Sequence, residues 1–441
     1  MQDNSILGQL VIGYSPMISR DRSVIATRLT IFPERRDARP DVDGLLRALA
    51  VVWPALEQPD GDAISLTLRP LSAAQAASQA GAQGGVPPGA QSKDGGAPTA
   101  ATPLSLNVAS EPWLRALMTA APPPHLMLEV PAFMVGDPAN AAALRALHEA
   151  GSVLVVKGRP AVELPRELLP CFRHSLIDVG EERRGDGPAP EGVVRRITHI
   201  QVGVRTKAEL DAAFDRGAVA VLGWPLDDEL KAAGNGKAAG PDLAVVTELI
   251  KRVDREESVD RLEAVLKNDP QLAFRLIRYL NSAAFGLTVE ISSFQHALMM
   301  LGYQKLKRWL ALLLVQASKD PAMKPAMFAA VRRGMLMEEL ARNSLDDEMR
   351  GEMFICGVFS LLDRMMGQPF GELFKSVPVP ERVHQALVDS SGPYQPYLAL
   401  VRALEQGSRS DIRDAADTSF MGLAEVNAAL LRALAAAQEL D

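Results

Sequence analysis

Cysteine is nearly missing from this chain. Cys171 and Cys356 are the only two in 441 residues, so no disulfide framework is implied and a reducing compartment fits. Long apolar runs are missing too. The longest, Trp309 to Val315, falls far short of the roughly 20 residues a membrane helix needs. The start, MQDNSILGQLVIGY, has neither the basic stretch nor the apolar core and small-residue cleavage site of a signal peptide. Positive charge is not in excess: the formal net charge is -7, which argues against a general nucleic-acid binder. Aromatic residues make up only 5% of the chain, and no P-loop, Rossmann glycine fingerprint or nucleophile elbow occurs. The expectation is a cytoplasmic protein with no membrane span and no nucleic-acid partner.

What is present divides into two halves. Residues 9–31 read as strand, turn and strand, with SRDR as the turn. Leu46 to Trp53 is apolar at helical spacing, and Ala63 to Leu68 alternates like a strand. Residues 73–103 are rich in Ala, Gly, Gln and Pro and poor in bulky apolar side chains. Such a segment cannot bury enough surface to offset its ordering entropy, so it reads as a disordered low-complexity insertion.

Beyond it the chain alternates. Strands are expected at 104–110, 125–133, 152–158, 175–180, 197–204 and 218–224. Helices are expected at Glu111–Thr119, Pro138–Ala150, Leu164–Phe172 and Lys207–Arg216. Repeated strand–helix units whose strands are apolar on both faces indicate a parallel sheet flanked by helices, and about eight such strands suit a (β/α)8 barrel. The glycines between Gly234 and Gly240 mark a flexible linker, placed at 231–240. The remainder, 241–441, is helical in pattern. The fold class expected is thus α/β plus all-α, with a barrel over 1–230 and a helical domain over 241–441.

Within the helical half, Asp269-Pro270 is a helix start, and Leu272, Leu276, Ile277 and Leu280 follow at helical spacing. Asn281-Ser282-Ala283-Ala284-Phe285-Gly286 breaks that pattern. Ser292 with Gln295 reads as a capping box, Gly302 as a helix-ending residue, and Gln304 to Ala317 as a helix burying Leu306, Trp309, Leu310, Leu313 and Leu314. The stretch NDPQLAFRLIRYLNSAAFG followed by ISSFQHALMMLG resembles the core of HDOD domains, all-helical relatives of the HD phosphohydrolases found in bacterial signalling proteins. Asn281, Ser282, Phe285 and Gly286 are its structural motif, a packing corner between helices.

The barrel half is similar to the EAL domain, the barrel that hydrolyses cyclic-di-GMP. The likeness rests on strand order, on HLMLEVPAF, LHEAGSVLVV and SLIDV, and on VGVRTKAELDAAFDRGAVAVLGWPL. An EAL domain followed by an HDOD domain is a bacterial signalling architecture. That chemistry needs clustered carboxylates holding two divalent cations. On this alignment Glu-Ala-Leu has become Ala26-Thr27-Arg28, the paired aspartates are Lys157 and Gly158, and the late Glu-x-Val-Glu is Val202-Gly203-Val204-Arg205. Asn107, Glu129 and Asp178 survive at metal-site positions, too few for a two-metal site. In the helical half Ser360 and Leu361 stand where the enzymes have His and Asp, and His296 and His384 sit singly. The likeness therefore implies no catalytic residue, metal or cofactor, and a degenerate phosphodiesterase barrel.

The cations Arg28, Lys157 and Arg205 are candidate phosphate contacts, or else partners for Glu129 and Asp178. Lys305, Lys307 and Arg308, and likewise Arg332-Arg333, read as the solvated side of amphipathic helices. Met335, Met337, Met353, Met365 and Met366 read as core filler. The resemblance implies a regulatory protein that binds other signalling proteins (diguanylate cyclases, phosphodiesterases or sensor kinases). A non-hydrolysing cyclic-di-GMP sensor is the alternative, and an active phosphodiesterase is the reading that the lost carboxylates oppose.

Overall fold

A computed structural model of the chain describes residues 6–35, 38–53, 103–120, 122, 126–182, 197–228, 241–258, 261–262, 265, 294–316, 321–343, 346–406 and 408–438. Eight strands close into a barrel in sequence order. They are β1 (Leu10–Ser19), β2 (Val24–Pro33), β3 (Leu104–Val108), β4 (Leu126–Pro131), β5 (Val153–Lys157), β6 (Phe172–Asp178), β7 (Thr198–Val202) and β8 (Ala220–Leu222). The strand expected at 63–68, the insertion at 73–103 except residue 103, and the linker lie outside the described residues.

The barrel is not uniformly parallel, and the strand–turn–strand expected over residues 9–31 is where it departs. β2 to β8 run parallel to their neighbours, but β1 runs antiparallel to both β2 and β8. The cause is the short turn after Ser19: four residues can reverse a strand but cannot hold a crossover helix. Barrel helices follow as α1 (Val42–Ala50), α2 (Glu111–Thr119), α3 (Ala141–Glu149) and α4 (Lys207–Asp215). α4 starts at a capping box in which Thr206 and Glu209 satisfy each other's backbone N–H groups.

The helix expected at Leu164–Phe172 is not formed. Only Leu169–Cys171 makes a 3-10 turn, and Phe172 already belongs to β6. Pro165 and Pro170 account for this: a proline offers no N–H to a helix and holds the chain in turns. Gly203, with φ +79°, ends β7 two residues earlier than expected.

The helical half contains α5 (Pro241–Asp254), α6 (Phe294–Gln316), α7 (Lys324–Leu340), α8 (Asp347–Phe359), α9 (Leu362–Met366), α10 (Glu381–Leu387), α11 (Gln395–Gln406), α12 (Arg409–Thr418) and α13 (Leu423–Gln438). α6 is broken at Gly302, which has φ 69° and ψ 174°, so the helix end expected there is present. Leu306, Trp309, Leu310, Leu313 and Leu314 are buried as expected. Met335, Met337 and Met353 are core residues too. The Asn281, Ser282, Phe285 and Gly286 corner, and the Asp269 and Ser292 caps, lie outside the described residues.

The two halves share one core. α11, α12 and α13 lie against β1, and a single hydrophobic cluster joins Leu10, Ile12 and Tyr14 to Leu398, Val401 and Leu434. β1 has no crossover helix of its own, so the C-terminal helices cover its outer face. Asn427 of α13, fully buried, donates its side-chain N–H groups to the carbonyls of Leu7 (2.7 Å) and Leu10 (2.8 Å).

Candidate functional site

Side chains on a strand alternate between faces, and the barrel interior can be read off that rule. Met17, Ala26, Met127, Val155, Leu176, Ile200, Ala220 and Leu222 form one compact cluster, drawn from seven of the eight strands. They are the interior apolar layer. Two residues further along the same faces come Arg28, Glu129, Lys157 and Asp178, so the alternation lifts them together into the next layer, toward the barrel mouth. Ser105 and Asn107 join them from β3, paired in register with Arg28 and Thr30.

That layer is internally bonded. The Arg28 guanidinium donates from Nε and Nη2 to the two carboxylate oxygens of Glu129, both at 2.7 Å. Ser105 Oγ donates to the same carboxylate at 3.0 Å. The Glu129 side chain is wholly buried and that of Arg28 is nearly so. Lys157 Nζ donates to Asn107 Oδ1 at 2.9 Å, and Asn107 Nδ2 to Thr30 Oγ1 at 3.3 Å. Burial pulls the Lys157 pKa below that of an ordinary lysine, with Glu129 opposing and Arg28 reinforcing the shift. Asp178 accepts the N–H of Gly180 and caps a short turn. Arg205, exposed, pairs with Asp227 at 2.8 Å rather than with Asp178.

A two-metal site does not fit these residues. A cation at Glu129 would have to displace a bidentate guanidinium, and among the described residues no three His, Cys, Asp or Glu side chains converge on a common point.

The helical half supplies the other wall. A cavity of about 700 Å³ lies between the barrel mouth and the helices, lined by Arg28, Lys157 and Asp178 below and by Arg333, Asp363 and Arg402 above. Arg333 does not lie on a solvated helix face, as the sequence suggested for Arg332-Arg333; both side chains are buried. Arg333 donates from Nε (2.8 Å) and Nη2 (2.7 Å) to Glu405 and from Nη1 (3.1 Å) to Ser360 Oγ. Arg332 lies over the Phe328 ring. Tyr14 of β1 donates its hydroxyl to Glu405 at 3.4 Å, which ties the network to the barrel. Burial and the Glu405 carboxylate raise the Tyr14 phenol well above its ordinary pKa. Trp224 stands edge-on to Tyr14, with ring centres 5.5 Å apart.

Ser360, at the position where HD enzymes have histidine, is thus a structural serine that donates to the Gly357 carbonyl at 2.7 Å. Leu361 beside it is buried. His384 is half-exposed, near Asp389 at 3.6 Å, and His296 lies in a stretch whose side chains are not described. Lys307 pairs with Asp254, and Arg308 with Glu338. Sequence reasoning missed Arg333, Asp363, Arg402 and Glu405 as wall residues. The only available signal was the pair Arg402 and Glu405 on α11, the helix that also carries Leu398, Val401 and Leu404.

Comparisons with known proteins agree with this division. Residues 241–370 match the HDOD domain family model, so the helical half carries an HDOD domain. YuxH of Bacillus subtilis, an uncharacterized protein, is 28% identical over 169 residues, covering 36% of this chain and 40% of that protein. A Vibrio cholerae protein named cyclic di-GMP phosphodiesterase CdgJ is 27% identical over 168 residues, covering 38% of this chain and 39% of its own length. The chain thus spans less than half the length of either relative. Among solved structures, the PaMucR phosphodiesterase in complex with c-di-GMP has a TM-score of 0.28 at 15% identity, over 50% of this chain and 91% of that one. The S helix–GGDEF–EAL portion of Vibrio cholerae LapD, bound to c-di-GMP, has a TM-score of 0.26 at 15% identity, over 50% and 53%. At such scores these likenesses carry no weight of their own, and the barrel rests on its strand pairing.

Proposed function

We propose that this chain is a non-hydrolysing regulatory protein of cyclic-di-GMP-related signalling that acts by binding other signalling proteins. Diguanylate cyclases, phosphodiesterases and sensor kinases are the partner classes that its EAL–HDOD resemblance implies. The observation that carries the reading is the Arg28–Glu129 pair: the acidic side chain retained on β4 has both carboxylate oxygens held by a guanidinium. Metal-assisted phosphodiester hydrolysis needs such oxygens free for cations that polarise the phosphate and generate hydroxide. A buried, bidentate arginine supplies the positive charge instead and offers no water to activate.

The test is incubation of the full chain with cyclic-di-GMP and magnesium or manganese, followed by product analysis. No linear dinucleotide is expected. Its time-dependent appearance, abolished by Glu129→Gln, would overturn the reading. A second reading, a receptor that holds cyclic-di-GMP without cleaving it, is favoured by the cationic cavity at the barrel mouth. Calorimetric titration of the same samples separates the two.

A further inference from the structure

The cavity wall carries six cations, Arg28, Lys157, Arg205, Arg333, Arg364 and Arg402, against the carboxylates Asp178, Asp227, Asp363 and Glu405. Most are already engaged. Arg28 holds Glu129, Arg205 holds Asp227 and Arg333 holds Glu405. Arg364 donates to the backbone carbonyl of Asp228. Lys157 places one of its three N–H donors on Asn107. Arg402 is different: among the described residues it makes no hydrogen bond or ion pair, and it lines the cavity from α11. A planar fork of five N–H donors held at a protein wall without an acceptor is a ready partner for a phosphate.

We infer that the cavity is a composite anion site. Arg402 of the helical half and Lys157 of the barrel bind a small phosphate-bearing ligand from opposite walls, so the ligand joins the two halves. Arg28 and Arg205, the phosphate contacts suggested by the sequence, are spent on carboxylates and do not contribute. The electrostatics agree. Partial burial and neighbouring Arg333 hold the Arg402 pKa below its ordinary value, and burial does the same to Lys157. Glu405 and Asp363 oppose the shift at Arg402, and Glu129 opposes it at Lys157. The Asp363 carboxyl, pushed up by burial, accepts the Arg364 backbone N–H and, among the described residues, no other hydrogen bond, which leaves it open to a ligand donor. Free phosphate and a nucleotide share the recognised group. The nucleotide arm rests on the receptor reading above, while the composite site does not.

The experiment is calorimetric titration of the full chain with inorganic phosphate and, separately, with cyclic-di-GMP. It uses the natural protein, Arg402→Gln, Lys157→Gln and Arg205→Gln, each checked for folding by thermal melting. Saturable phosphate binding is expected, weakened at least tenfold by Arg402→Gln and by Lys157→Gln and unchanged by Arg205→Gln. Tighter binding of cyclic-di-GMP with the same dependence on Arg402 would identify a nucleotide as the ligand. Cyclic-di-GMP binding indifferent to Arg402→Gln would overturn the composite site but leave the receptor reading intact. No saturable binding of either probe would overturn both. If Arg402→Gln fails to fold, Arg402→Lys, which keeps the charge and loses the fork, is expected to weaken binding, and unchanged binding there sinks the assignment.

Discussion

Arg28 and Glu129 hold one another where water scarcely reaches, and the consequences of cutting one partner differ from those of replacing both. Removing one member of a buried pair leaves a charge with no compensation, a loss of about 3–5 kcal/mol, whereas replacing both with apolar groups of similar size is often neutral. Arg28→Ala is therefore expected to lower unfolding stability by that amount in urea titrations. Arg28→Met combined with Glu129→Leu should recover most of it. Equal losses in the single and double variants would show that the pair is not the source.

His174 offers a second check at the same scale. Burial, aided by Arg173, holds its imidazole down at about 4, against 6.5 for the free side chain. Between those values the unfolded chain takes up a proton that the folded chain refuses. The stability contribution is thus complete above pH 6.5 and falls as pH drops toward 4, by up to about 3 kcal/mol. His174→Gln is expected to flatten this slope in denaturation curves taken from pH 7 to pH 4. Pairing of Arg28 with Glu129 was one of the two roles the sequence left open for it, the other being a phosphate contact. The Arg333–Glu405 pair was not legible in the sequence, since a local pattern of charges on a helix looks the same whether solvent or another element covers it.

At the scale of elements, α7 and α8 touch backbone to backbone. A Cβ on Gly357 would lie 2.4 Å from the Arg333 carbonyl oxygen, and one on Gly334 would lie 2.5 Å from Val358 Cγ2. This close crossing brings Ser360 within reach of Arg333. Gly357→Ala is expected to force the helices apart and to cost about 1–3 kcal/mol, the usual range for overpacking a well-filled core. A melting temperature unchanged from the natural protein would contradict the close approach. The glycines stood in the sequence, but their meaning depended on which helices cross. Elements set by strong local signals, such as β3, β5, α2 and α4, were readable to within a residue or two. The segment at 164–172 was not, because its apolar spacing suited a helix while Pro165 and Pro170 opposed one.

For the molecule as a whole, the boundary drawn in the linker separates sequence patterns but not cores. Leu10, Ile12 and Tyr14, buried under α11 to α13, would face water if those helices were lost. Each such side chain contributes about 1.5–3 kcal/mol of burial. A chain ending at residue 394 is expected to collect in the insoluble fraction or to lose its near-ultraviolet circular dichroism. Recovery of a soluble barrel with cooperative unfolding would show that the barrel stands alone. Neither the sharing of β1 nor the facing of barrel mouth and helices could be read from the sequence, since both depend on contacts hundreds of residues apart.

The Asn427 contacts to Leu7 and Leu10 carry a consequence in time. β1 is sealed by α13, and Leu7 and Asn427 stand 420 positions apart. At ordinary elongation rates of about 5–20 residues per second, the apolar flank of β1 waits roughly 20–80 seconds for its cover. During that interval a nascent chain carries all eight barrel strands with the outer face of β1 unsealed, which invites the help of a chaperone.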